Sequence, residues 1–210
     1  MSYKLLVEKL YRNLDKKYMT REEIKTFLKP LKLDYYSAIR YLLENGYVIR
    51  ILRGIFYVKS IEERKLKKID ISYEEAVSKA LELKKIKNWY FGLESALKLN
   101  NLTHEYIAVN TIISDGMFRN KPIKIFGYPV KFLKIKKELF SFGIKKYPFP
   151  HSDREKTILD IIYFARYNGK NEIEIKNKIK EYKEHINKKR ILEYSRNYPR
   201  SVKKIIEEIL

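Results

Sequence analysis

"YLLENGYVIRILRGIFYVKS", residues 41–60, carries two periodicities back to back. Up to Asn45 the apolar residues recur at helical spacing. After Gly46 they come in the short runs "YVIRIL" and "IFYVK", split by Arg53 and Gly54. Glycine past a helix end favours a left-handed stop, and Arg-Gly between two apolar runs predicts a hairpin. Upstream, Asp34 is placed to cap a helix running to Asn45, with Ala38, Ile39, Leu42 and Leu43 as its buried stripe. Thr20 and Glu23 have capping-box spacing, so another helix starts there and ends before Pro30. "YKLLVEKLYRNL", with Leu5, Leu6, Val7, Leu10, Tyr11 and Leu14 at helical spacing, predicts a first helix.

Helix, helix, helix, hairpin is the order of a winged helix-turn-helix. In that fold the third helix enters the major groove and the hairpin tracks the backbone. This reading assigns DNA contacts to Tyr35, Tyr36, Ser37, Arg40 and Tyr41 on the outer face of the helix, and to Arg50, Arg53 and Lys59 on the hairpin. The same fold also serves protein contacts, so fold alone does not decide function.

The charge points the same way. The 210-residue chain has a formal net charge of +20, and Lys+Arg against Asp+Glu runs 13 to 6 over residues 1–60 and 9 to 2 over 111–150. A surplus of that size favours a polyanionic partner, because each cation set against a phosphate releases condensed counterion. It also fits a Lys-rich surface that only keeps the chain in solution, and abundant Lys and Glu without Cys or Gln fits a heat-adapted organism. With no cysteine, disulfides, thiolate metal sites and Cys nucleophiles are excluded. No apolar run approaches the length of a membrane span, and the amphipathic start does not read as a signal peptide, so a cytoplasmic protein without membrane association is expected.

The charged, weakly periodic residues 61–71 read as a linker between a 1–60 DNA-binding domain and a second domain over 72–210. In that domain Ser72 and Glu75 open a helix, "NWYF" a strand and "GLESALKLNNL" a short helix. "EYIAVNTII", "KPIKIFG" and "PVKFLKIK" read as strands. Ser152 with Glu155 would cap a helix through "REKTILDIIYFARYNG", and charged helices follow from about residue 172 to the end. The expected class is α+β: a winged helix-turn-helix, then a mixed α/β domain with a small, mainly antiparallel sheet and a helical C-terminal tail. Arg119, Lys121, Lys124, Lys131, Lys134 and Lys136, interleaved with aromatics, mark a second basic surface, either a Lys-rich outer sheet face or a platform for RNA or an acidic protein.

Nothing predicts catalysis. His104, His151 and His185 lie in different elements without metal-ligand spacing, no glycine-rich phosphate loop exists, and the polar cluster "HSDREKTILD" is explained by a helix cap. No cofactor, metal site or catalytic residue is expected, although a nucleic-acid-processing enzyme assembled from scattered acids, such as Asp153 and Asp160, remains an alternative.

The order of three segments resembles the AbiEi family of antitoxins. They are "YLLENGYVIRILRGIFYV", "WYFGLESALKLNNLTHEYIAVNT" and "YPFPHSDREKTILDIIYFARY", and together they span about residues 3–168. The resemblance implies an N-terminal winged helix that binds the operator of its own operon as double-stranded DNA, as a homodimer or otherwise. It also implies a C-terminal domain that counteracts a nucleotidyltransferase-like toxin in a type IV toxin–antitoxin, abortive-infection pair. By position, Arg40, Arg50 and Arg53 would contact DNA, and no catalytic residue is implied. A stand-alone winged-helix regulator and an RNA-binding module are the alternatives, and the tail after about residue 170 is outside the resemblance.

Overall fold

A computed structural model describes residues 2–13 and 16–210, so Leu14 of the expected first helix lies outside the described residues. The chain is α+β and divides into two compact units. The first runs to Lys87 and takes in Ile125–Gly127, and the second holds the rest from Asn88 to Leu210.

Unit 1 is built from α1 (Ser2–Arg12), β1 (Tyr18–Thr20), α2 (Arg21–Leu28), α3 (Tyr35–Glu44), the β2 (Val48–Leu52) and β3 (Ile55–Val58) hairpin, α4 (Ile61–Leu66) and α5 (Tyr73–Leu83). The expected caps form. Thr20 and Glu23 make a full capping box, and the Asp34 carboxylate accepts the Ser37 N–H at 2.8 Å. Gly46 stops α3 at φ +67°. Not foreseen is β1, which pairs antiparallel with β3 and makes a three-stranded sheet in the order β1-β3-β2.

The core of unit 1 gathers Leu6 and Leu10 of α1, Ile24 and Leu28 of α2, Ala38, Ile39 and Leu42 of α3, and Val48, Phe56 and Val58 of the hairpin. Every residue of β3 is buried, and because side chains alternate along a strand, Ile55 and Tyr57 need a cover of their own. That cover is α5, which contacts all three strands and buries Ala76, Val77, Ala80 and Leu81.

The expected boundary is therefore corrected: residues 61–71 are not a linker, and the first unit ends near residue 87 rather than 60. Ser60 and Glu63 form a capping box for α4. The buried Glu63 carboxylate also accepts the Tyr57 hydroxyl at 2.7 Å and the Asp70 N–H at 2.9 Å. Arg64 lies 3.9 Å above the Tyr47 ring and donates to the Tyr11 hydroxyl at 3.0 Å, which holds α4 against the preceding helices.

Unit 2 contains β4 (Trp89–Phe91), α6 (Leu93–Leu99), β5 (Asn110–Ser114), β6 (Ile123–Ile125, its last residue counted with unit 1), β7 (Tyr128–Lys134), β8 (Ile144–Lys145), β9 (His151–Ser152), α7 (Arg154–Tyr167), α8 (Glu172–Lys180), α9 (Lys188–Ser195) and α10 (Arg200–Ile209). The six-stranded sheet runs β6-β7-β5-β4-β9-β8. It is mixed rather than mainly antiparallel: β5 pairs parallel with β7 and β4 parallel with β9, whereas β4–β5 and β8–β9 are antiparallel.

The C-terminal helices are core rather than tail. Ile175, Ile179, Ile191, Val202, Ile205, Ile206 and Ile209 join Ile158, Leu159 and Ile162 of α7 in one apolar cluster. The cap of α7 is Asp153, which accepts the Lys156 N–H at 2.8 Å, in place of the expected Ser152. Ser152 instead sits in β9, its hydroxyl 2.7 Å from that of Thr157.

Candidate nucleic-acid interface

In unit 1 a cleft of about 760 Å³ opens between the start of α2, the exposed flank of α3 and the β2–β3 hairpin. Four arginines line it: Arg21 at the first position of α2, Arg40 on α3, Arg50 on β2 and Arg53 at the hairpin turn. Lys84, just past α5, adds a fifth cation. Among the described residues Glu22 is the one carboxylate of this lining, and it is engaged by Lys25 at 3.4 Å. Among the described residues none of the four arginines has a carboxylate within ion-pair distance.

Local structure explains the convergence. The Arg21 N–H donates to the Gly54 carbonyl at 2.7 Å, which pins the start of α2 to the hairpin turn. Gly54 supplies the turn at φ +79°, where a side chain would be strained. The Arg21 guanidinium lies 4.9 Å from the Tyr35 ring and its buried Nε–H has no acceptor among the described residues. The Arg50 guanidinium lies 5.7 Å from the Phe56 ring.

A guanidinium held over a ring keeps its N–H edge for a bidentate acceptor such as phosphate. Burial raises the pKa of the Tyr35 hydroxyl, while Arg21 and Arg50 pull it back. Tyr36, 69% exposed, packs edge-on to Tyr35 and points a ring outward at the mouth.

Of the residues expected from sequence to touch DNA, the fold brings Tyr35, Tyr36, Arg40, Arg50 and Arg53 to this cleft and leaves three outside its lining. Ser37 donates its hydroxyl to Asp34 at 3.0 Å as part of the α3 cap. Tyr41 is stacked between Tyr3, at 4.5 Å, and Tyr47, at 6.0 Å. Lys59 is half-buried beyond β3, its N–H bonded to the Tyr47 carbonyl. Sequence reasoning missed Arg21 and Lys84, because their place depends on tertiary contacts and not on the face of α3.

The second basic surface is divided too. Lys131, Lys134 and Lys136 line a cleft of about 1090 Å³ in unit 2, together with apolar and aromatic side chains from α6, α7 and the segment before β6. Arg119, Lys121 and Lys124 lie outside that lining. Arg119 is half-buried with its N–H on the Phe132 carbonyl at 3.1 Å, and the other two are exposed.

The polar cluster "HSDREKTILD" is interior. The Asp160 carboxylate is fully buried and accepts the hydroxyls of Tyr90 at 2.8 Å and Tyr198 at 2.6 Å. Lys156, also fully buried, sits 3.6 Å from Asp160 and donates to Tyr198 at 3.1 Å, with the Tyr90, Phe142 and Tyr198 rings around its ammonium. Burial raises the Asp160 pKa against the pull of Lys156, and lowers that of Lys156 against the pull of Asp160. Burial likewise lowers the pKa of His151, whose Nδ1 is 2.7 Å from the Phe149 carbonyl. No group of three or more His, Asp or Glu side chains among the described residues is arranged to hold a metal, and no described helix is long and apolar enough to cross a membrane.

Comparison with protein-family profiles and with curated proteins finds no match. Among solved structures, the crystal structure of the RV2827C protein from Mycobacterium tuberculosis is similar, with a TM-score of 0.60 at 14% identity. The match covers 100% of this chain and 76% of that one. At that identity the likeness is one of fold, so the whole chain follows an architecture already seen in a mycobacterial protein.

Proposed function

We propose that unit 1 is a winged helix-turn-helix module and that the chain is a DNA-binding regulator which acts by binding rather than by catalysis. The observation that carries this is the convergence of Arg21, Arg40, Arg50 and Arg53, without carboxylate partners among the described residues, on one cleft between α3 and the β2–β3 hairpin. In this reading α3 enters the major groove, where Tyr36 and Arg40 reach base edges. The hairpin is the wing, and Arg21, Arg50 and Arg53 take phosphates. Such a cluster repels itself, and the phosphate backbone is the abundant ligand that relieves it.

The resemblance to AbiEi antitoxins extends the proposal. The chain would be an autorepressor acting in the cytoplasm on its own operator, with unit 2 counteracting a nucleotidyltransferase-like toxin encoded beside it. A stand-alone regulator is the second reading, and the neighbouring reading frame separates the two. If its product is toxic when expressed alone and harmless when this chain is co-expressed, the antitoxin reading holds; absence of such a product leaves the regulator.

A mobility-shift titration with duplex DNA from upstream of the chain's own gene tests DNA binding. Between about 50 and 200 mM salt, log K should fall against log salt with a slope of about −3 for three phosphate contacts. Arg40→Ala with Arg53→Ala should weaken binding at least about tenfold and, because only Arg53 takes a phosphate, flatten that slope by about 1. An unchanged titration would overturn the assignment.

A further inference from the structure

We propose that the cleft of unit 2 binds single-stranded nucleic acid, stacking unpaired bases on Tyr106, Phe118 and Tyr167 while Lys131, Lys134 and Lys136 hold the phosphates. The inference stands on different residues from the DNA-binding reading and does not depend on it. The three rings come from separate parts of the chain, the segment after α6, the segment after β5 and the last turn of α7, yet they line one cleft of about 1090 Å³. They are 86%, 56% and 79% exposed, so the apolar core does not account for them. Rings left in solvent around a concave site are surface that a ligand can cover.

The lysines set the ligand's charge. Lys131 and Lys134 belong to β7 and Lys136 follows it; side chains alternate along a strand, so Lys131 and Lys134 leave β7 on opposite faces, and the three lysines border the cleft at separate points rather than in one row. No ion pair engages any of the three among the described residues. Across the cleft, Lys178 is neutralised by Glu94 at 3.3 Å, which leaves three lysines against Glu105. An anionic ligand with flat faces satisfies both halves of the site. In a duplex those faces are stacked on neighbouring bases, whereas in a single strand they are open to the protein.

The test uses the full chain with Arg40→Ala and Arg53→Ala, so that the unit 1 cleft is weakened and its own DNA titration is read separately. Fluorescence anisotropy follows a labelled ~12-nucleotide oligouridine, a length within the usual site sizes of single-strand binders. A duplex RNA of equal length and polyglutamate serve as competitors. Phe118→Ala or Tyr167→Ala should each raise Kd roughly 5- to 150-fold with the salt slope unchanged, because stacking releases no counterion.

Lys131→Ala with Lys134→Ala should flatten the slope by about 1.4. Thermal unfolding should be unaffected by the exposed ring substitutions, and Tyr106→Ala gives an independent reading if either variant melts low. Affinity that ignores the rings would reduce the site to general attraction by a basic protein and overturn the proposal. Equal competition by duplex would overturn it too, and polyglutamate displacing the oligonucleotide as effectively would show an acidic protein to be the occupant.

Discussion

Lys156 occupies a position that hydropathy assigns to an aliphatic residue. Its side chain is fully buried, four residues before Asp160 on α7, and three rings surround its ammonium. Gly143, at φ +65°, leaves room for it: a Cβ there would come within 2.8 Å of the Lys156 Cβ. Spacing places Lys156 and Asp160 on one helix face, and that much is readable from "REKTILD". Their burial is not, because Tyr90, Phe142 and Tyr198 arrive from distant parts of unit 2.

A buried pair is costly to halve and cheap to replace whole. Lys156→Met should destabilise the unit by about 3–5 kcal/mol by leaving Asp160 without its cation. Adding Asp160→Leu should recover much of that loss despite the two tyrosine hydroxyls it frees. Thermal unfolding followed by the fluorescence of Trp89, in β4 beside Tyr90, reads both variants.

At the level of elements, what sequence pattern reveals is what short range determines. The caps at Thr20 and Asp34, the Gly46 stop and the Gly54 turn are local chemistry, and all form as expected. The parallel pairings of the two-residue strand β9 with β4 and of β5 with β7 depend on partners far along the chain, and no local pattern announces them. Helix α4 is different, because its start signal lies in the sequence itself. Ser60 and Glu63 have capping-box spacing, but the charged residues behind them carry little apolar periodicity.

Glu63 closes α4 and ties it to Tyr57 and Asp70. Burial works against its charge, yet the Asp70 and Ser60 N–H groups and the Tyr57 hydroxyl together bring its pKa below the ordinary value. A carboxyl depressed in the folded state contributes stability above its unfolded pKa, near 4.3, and loses it as pH falls through the folded value. Glu63→Ala should therefore cost about 3 kcal/mol at neutral pH, through lost bonds to a charged acceptor. The gap to the parent should narrow as pH drops below about 4, measured by circular dichroism during urea unfolding.

Across the whole molecule, the partition near residue 87 has a direct consequence for fragments. A piece ending at residue 60 keeps the three helices and the hairpin but strips α5 from the sheet, exposing the side of β3 that carries Ile55 and Tyr57. The fragment 1–87 should unfold cooperatively, whereas 1–60 should show at most partial helicity and no cooperative transition by circular dichroism. The unbroken apolar run Ile55-Phe56-Tyr57-Val58 already signalled a strand covered on both faces. The helix, helix, helix, hairpin pattern ends at the hairpin, so the second cover has to come from beyond it. The α+β class was thus readable, the mixed sheet and the unit boundary were not, and of the unit 1 cleft only the residues on α3 and the hairpin could be named in advance.

The arginine cluster also bears on how long the molecule survives. Folding of unit 1 brings together guanidinium groups that an unfolded chain would disperse, so the ligand-free native state carries a repulsion that salt screens and a bound polyanion removes. A polyanion that binds only the folded form adds RT ln(1 + [L]/Kd) to its stability. If the proposed polyanion occupies the cleft, occupancy and resistance to proteolysis are linked, and partner-free molecules should be cleaved first in a limited-proteolysis time course.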